Sequence, residues 1–211
     1  MNRLLSLIFP QKCPYCGKTI GYSLTECEAC RESFPDKPFT RITNTGVKCS
    51  APFLYEDKVK NAIIQLKFHR VVFNAGSLSA AVARTVCDIY GDHIPELVTC
   101  VPMSRDRLKK RGFNQAELLA EKTAALLGKS FVRTMKRDNG AEIQHELTRE
   151  ERINLIDRTY HIIDPSIVRG KEILLIDDIM TTGTTLLRCC EVLMDCGAEK
   201  VICAVAAITE K

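Results

Sequence analysis

The sequence predicts an α/β domain, a mainly parallel sheet flanked by helices, with a small cysteine-rich lobe in front of it. Three observations carry that expectation. From about Asp57 onward, helical periodicity alternates with short apolar runs rich in β-branched residues. One of these runs, Ile173 to Ile176, ends in two aspartates and a turn of threonines and glycine. The N-terminal segment instead holds two Cys-x-x-Cys pairs and little periodicity.

Val59, Ala62, Ile63 and Leu66 recur at the spacing of one helix face, and predict a helix from about Asp57. A second helix is expected over 76–89. Residues 97–102 form a short apolar run ended by Pro102 and predict a buried strand. A helix is predicted over 115–127, with Gly128 closing it because glycine takes a left-handed cap at no steric cost. Residues 134–158 are charged and aperiodic, and predict a long loop, a candidate for closing over a ligand. Strands are expected at 160–163, 172–177 and 201–209, and a helix over 184–196 closed by Gly197. The polar stretch from Thr40 to Lys48 marks a soft boundary. The expected division is therefore 1–45 for the cysteine lobe and 46–211 for the α/β domain.

A chain of 211 residues can bury one core and carry a small appendage. Its 45% hydrophobic and 27% charged residues match ordinary globular usage. A net charge of +4 permits polyanionic ligands without pointing to them. Residues 1–9 include Leu4, Leu5, Leu7, Ile8 and Phe9, an apolar stretch too short to span a membrane and without a small-residue cleavage site after it. No transmembrane segment is expected, and scattered cysteines in apolar runs such as Thr99-Cys100-Val101 fit a reducing cytosol.

The run from Ile173 to Thr185 holds the strongest chemistry. A buried strand delivers Asp177 and Asp178 to its carboxyl end, where ligands sit in open α/β sheets. Thr181, Thr182, Gly183, Thr184 and Thr185 then form a small-residue turn into a helix. Backbone N–H groups at such a helix start, with threonine hydroxyls, suit a dianionic phosphate. Two carboxylates beside it can accept hydrogen bonds from paired ribose hydroxyls. Together these residues describe a receptor for ribose 5-phosphate. Neither a P-loop nor a dinucleotide fingerprint occurs in the chain.

Downstream of Pro102, five of the seven residues from Arg105 to Arg111 are basic. At the carboxyl end of a second strand, Arg105, Lys109 and Arg111 can neutralise a pyrophosphate. In the cysteine lobe, Cys13 and Cys16 are separated by ten residues from Cys27 and Cys30. Two such knuckles supply four thiolates in a tetrahedron, the arrangement of structural zinc, with no open position for catalysis. Cys13-Pro14-Tyr15-Cys16 also looks like a glutaredoxin site, but that requires a helix starting at the first cysteine, whereas Gly17 follows the second here. His69, His93, His145 and His161 are too separated to suggest a metal site, Ser77 and Ser104 lack a nucleophile context, and Cys189 with Cys190 suggests packing.

The Ile173–Thr185 run resembles the signature of type I phosphoribosyltransferases. That resemblance implies phosphoribosyl pyrophosphate (PRPP) as ligand, its ribose hydroxyls on Asp177 and Asp178 and its 5′-phosphate on Thr181 through Thr185. Val101-Pro102, Arg111-Gly112-Phe113-Asn114-Gln115 and Leu66-Lys67-Phe68 are in turn similar to the ComF family of competence-associated proteins. So are Gln144, Leu147, Arg152 and Asn154 in the polar loop, and Gly197-Ala198. The resemblance covers essentially the whole chain. It implies a type I phosphoribosyltransferase fold behind a zinc-ribbon lobe, and a link to natural competence and DNA uptake. Lys67, Asn114, Gln115, Gln144 and Arg152 join the pyrophosphate and loop candidates on this likeness.

The expected activity is displacement of pyrophosphate from PRPP by an unidentified acceptor, with magnesium bridging substrate oxygens. The alternative is a non-catalytic module that handles single-stranded DNA and holds PRPP as a ligand. Competence or DNA-uptake proteins are the expected partners. The expected location is the cytoplasm, peripheral to a membrane DNA-uptake complex where it meets one.

Overall fold

The computed structural model describes residues 10–43, 46–138 and 159–210. Along the chain, helix α1 (Glu28–Glu32) precedes strands β1 (Phe39–Ile42), β2 (Lys48–Ala51) and β3 (Phe53–Leu54). Helices α2 (Asp57–His69) and α3 (Asn74–Tyr90) lead to β4 (Leu97–Cys100), and helices α4 (Arg105–Arg111) and α5 (Gln115–Leu127) to β5 (Ser130–Phe131). Then come β6 (Met135–Arg137), β7 (Tyr160–Ile162), α6 (Pro165–Val168), β8 (Glu172–Met180), α7 (Thr184–Asp195) and β9 (Lys200–Ile208).

The main sheet runs β1-β2-β9-β8-β4-β5, with β3 extending the β9 edge after β2. Every pairing in it is parallel except β1 with β2. At its centre Ile173, Leu174, Leu175 and Ile176 are fully buried, the continuous apolar run of a strand covered on both faces. The predicted face of α2 is its buried face: Val59, Ala62, Ile63 and Leu66. Helix α5 has the predicted bounds because both ends carry local stop signals. The Asn114 side chain accepts a hydrogen bond from the Ala116 N–H, and Gly128 closes the other end at φ +65°.

Three features depart from the sequence expectation. The strand near residue 160 is not part of the parallel sheet: β7 pairs antiparallel with β6 in a separate ribbon. Thr134 anchors this ribbon, its hydroxyl 2.9 Å from that of Thr99 on β4. The polar stretch from Thr40 to Lys48, read as a soft boundary, carries strand pairing: β1 pairs antiparallel with β2, which joins the main sheet through β9. Strand β8 also runs past Asp177 to Met180, paired with β9 as far as Ile208.

The topology creates a switch point. Strand β8 continues through α7 to β9 on one side, while β4 continues through α4 and α5 to β5 on the other. The crevice between β8 and β4 therefore lies where the winding reverses, the place at which open α/β sheets bind ligands.

Candidate functional site

Two segments leave the sheet on either side of that crevice, residues 177–185 after the core of β8 and residues 101–115 after β4, where the Val101 N–H still reaches the Ile176 carbonyl at 2.9 Å. Asp178 is buried, and Lys67 from the last turn of α2 brings its Nζ to 2.9 Å from Asp178 Oδ2. The contact is a close ion pair out of hydrogen-bond alignment, for Oδ2 accepts no hydrogen bond among the described residues. Asp177 Oδ1 instead accepts from the Asp178 N–H at 2.8 Å. Desolvation, and then the neighbouring Asp178 carboxylate, push the Asp177 carboxyl up to about 8, against the opposing pull of Lys67 and Arg137. Two adjacent carboxyl groups offer several oxygen acceptors to a pair of hydroxyl ligands.

The turn that follows leads directly into the start of helix α7. Gly183 sits at φ +82°, and a Cβ there would lie 2.6 Å from Thr43 Cγ2 and 2.8 Å from Met180 Cε, so any side chain is strained and forces its neighbours to move. Helix α7 begins at the next residue, and the Leu187 N–H already reaches the Gly183 carbonyl at 2.9 Å. Thr181, Thr182, Thr184 and Thr185 are exposed around this helix start. The Thr182 and Thr184 hydroxyls are 3.0 Å apart, close enough to converge on one ligand oxygen. Free N–H groups at a helix start, together with hydroxyls, are what a phosphate dianion needs.

Across the crevice, the basic segment folds as helix α4 and borders a cleft of about 980 Å³. Arg70, Arg105, Arg111, Arg133, Lys136 and Arg137 line this cleft together with Glu117, Glu121 and Asp138, and Arg133 is paired with Glu117; the lining includes no residue of 177–185. Arg111 donates to Gln115 Oε1 and lies 5.2 Å above the Phe68 ring. Lys109 sits on the exposed surface of α4 and does not line the cleft. Asn114 uses its amide group internally, capping α5 and donating to the Val101 carbonyl at 3.0 Å. It thereby fixes the loop that carries the arginines. Gln144 and Arg152, with Leu147, Asn154 and His145, lie outside the described residues.

The structure adds residues that the sequence reading missed. Arg137 on β6 lines the cleft, lies 5.3 Å over the Tyr160 ring, and contributes positive potential at Asp177. Arg41 on β1 donates to the carbonyl of Thr181 and, at 3.0 Å, to that of Thr209. Both arginines stand in aperiodic polar stretches, and no local pattern marks them.

At the N-terminal end the four knuckle cysteines come together. The sulfurs of Cys13, Cys16, Cys27 and Cys30 all lie within 4.8 Å of one another. A tetrahedral zinc–thiolate site has sulfur–sulfur edges of about 3.8 Å, given zinc–sulfur bonds near 2.3 Å. The Cys16–Cys27 separation is 3.5 Å. Burial alone would raise the Cys13 thiol, but backbone hydrogen bonds from Cys27, Tyr15 and Cys16 outweigh it and hold the group at about 7. Backbone donors aimed at sulfur are the environment a metal-bound thiolate requires. The lobe is keyed to the α/β domain by Tyr15, Phe34 and Phe53, with ring centroids 4.4 to 5.9 Å apart. The buried Tyr15 and Ser77 hydroxyls are 2.9 Å apart, and Glu26 contacts Ser77 in turn. No helix among the described residues is long and apolar enough to cross a membrane.

Comparison with known proteins agrees with this architecture. The sequence profile of the phosphoribosyl transferase domain matches residues 108–210. The chain is 30% identical over 176 residues to competence protein ComFC of Bacillus subtilis (strain 168), covering 82% of this chain and 68% of that one. It is 27% identical over 197 residues to DNA utilization protein YhgH of Salmonella typhi, covering 90% and 80%. With competence protein F of Haemophilus influenzae it shares 23% over 194 residues, covering 90% and 81%. A cysteine-cluster lobe, a mainly parallel phosphoribosyltransferase-type sheet and these relatives together show that the chain belongs to the ComF family.

Proposed function

We propose that the chain binds magnesium–PRPP in the β8–β4 crevice and transfers its phosphoribosyl group, releasing pyrophosphate. The observation that carries this reading is the adjacency of Asp177 and Asp178 to the Gly183 turn at the start of α7. The two carboxyls take the ribose 2- and 3-hydroxyls, and Thr181 through Thr185 take the 5′-phosphate. Arg105, Arg111 and Lys67 face the departing pyrophosphate, and Lys109, Gln115, Gln144 and Arg152 are the remaining family-derived candidates for that end. Magnesium, when bound with PRPP, would neutralise pyrophosphate and ribose oxygens, and substrate atoms rather than a protein cage would hold it. The side chains supply position and charge: cleavage at the anomeric carbon develops oxocarbenium character as pyrophosphate departs, and clamping that leaving group with fixed cations lowers the barrier. Four thiolates at Cys13, Cys16, Cys27 and Cys30 would hold a structural zinc.

In purified protein with magnesium and PRPP, pyrophosphate release should depend on an added base or nucleotide acceptor and vanish in Asp177→Asn/Asp178→Asn. Absence of release with every acceptor, in protein that binds PRPP, would leave a binding role alone.

A second reading is favoured by one observation. Phe68 is 66% exposed with Arg111 stacked on it, beside the five basic residues of α4. An exposed aromatic ring among cations is a platform for an unpaired base. On this reading the protein handles single-stranded DNA, as the names of its relatives suggest, in the cytoplasm or beside a membrane uptake complex. Binding of an oligonucleotide that weakens steeply with salt supports it, and salt-insensitive or absent binding counts against it.

A further inference from the structure

We infer that Arg41 is a positioning residue of the phosphate turn: it orients the Thr181–Thr182 peptide so that the Thr182 N–H faces the 5′-phosphate. The inference rests on the proposed ribose 5-phosphate reading of that turn. Arg41 lies on β1, an antiparallel edge strand that the α/β pattern itself does not require. Its Nη1 donates to the Thr209 carbonyl at 3.0 Å and its Nη2 to the Thr181 carbonyl. A planar guanidinium can hold two carbonyls at once, which a lysine cannot do with fixed geometry. The first acceptor is itself anchored, because the Thr209 N–H donates to the Met180 carbonyl at 3.1 Å.

The consequence follows from peptide geometry. In a planar trans peptide the C=O and the next N–H point in opposite directions. Holding the Thr181 oxygen against Arg41 turns the Thr182 N–H to the opposite side. A peptide flip would instead bring a carbonyl oxygen, with its partial negative charge, toward the anion. A second restraint comes from the same strand end. The Thr43 methyl group fills the space a Cβ on Gly183 would need. The end of β1 thus touches the turn at two nearby points, the Thr181 carbonyl and the bare Cα of Gly183.

The test uses the full chain with ribose 5-phosphate and, separately, magnesium pyrophosphate as probes. Arg41→Ala should weaken ribose 5-phosphate binding about tenfold or more, the scale of a lost charge-assisted hydrogen bond. Magnesium pyrophosphate affinity should stay within about twofold, under 0.5 kcal/mol. Arg41→Lys should fall between wild type and Arg41→Ala, and millimolar guanidinium ion should restore part of the loss in Arg41→Ala. A folded Arg41→Ala with wild-type affinity, or equal losses for both probes, overturns the inference. Where Arg41→Ala does not fold, the same comparison between Arg41→Lys and Arg41→Gln decides. If wild type fails to bind ribose 5-phosphate, the ligand reading falls and amide exchange decides on Arg41 separately. Faster exchange at Thr182 and Gly183 in Arg41→Ala sustains the orienting role, and unchanged exchange removes it.

Discussion

Ionising Asp177 places a second negative charge beside Asp178 in a desolvated crevice, and the protein resists this by keeping the proton. The folded-state value of about 8 is above the unfolded one of 3.8, so between these values the folded chain binds more protons than the unfolded chain. Linkage then makes stability fall as pH rises through this window, the reverse of a salt-bridged carboxylate. Asp177→Asn should flatten the decline, read as the melting temperature of both proteins from pH 5 to pH 9; parallel curves would contradict the assignment. Gly183 makes a different demand. Gly183→Ala adds a methyl that meets Thr43 and Met180 inside 3 Å at a positive φ. It should cost about 1–3 kcal/mol in chemical denaturation, the range for overpacking and left-handed strain. Ribose 5-phosphate binding should be lost with it.

Among the elements, the cysteine lobe depends most on something beyond its own packing. Among its described residues the one helix, α1, has five residues, of which only Cys30 is buried. If the four cysteines hold zinc as proposed, a chelator should release residues 13–34, seen as new proteolytic cleavage there and a lower melting temperature. Unchanged proteolysis would argue against a structural metal. How well each element could be read from the sequence follows from how local its determinants are. Strand β8 was legible because burial on both faces leaves a continuous apolar run, and α5 because Asn114 and Gly128 mark its ends within the chain itself. Strand β7 was legible as a strand but not as part of a separate ribbon, since its partner is β6 and pairing leaves no local mark. Strand β1 was missed because an edge strand with alternating half-buried and exposed residues looks like polar linker. The Arg41 contact joins residues 140 apart in sequence, and no periodicity encodes it.

At the scale of the whole molecule, the proposed site depends on the winding reversal between β8 and β4, which sets two sequence-distant strand exits next to each other. The aspartates and the threonine turn follow β8 and the α4 arginines follow β4, and the sheet order puts those two strand exits side by side. Lys67 from α2 closes the crevice against Asp178. Lys67→Ala should thus weaken binding of the whole ligand while leaving the sheet intact, because it strips the partner from a buried carboxylate without touching the core. The most direct measurement is calorimetric titration of the full chain with magnesium–PRPP, repeated on Asp177→Asn/Asp178→Asn. Saturable one-to-one binding by wild type and none by the folded double variant is the predicted result. Wild-type protein that releases no heat and shows no thermal shift with magnesium–PRPP, or a double variant that binds equally well, would contradict the account.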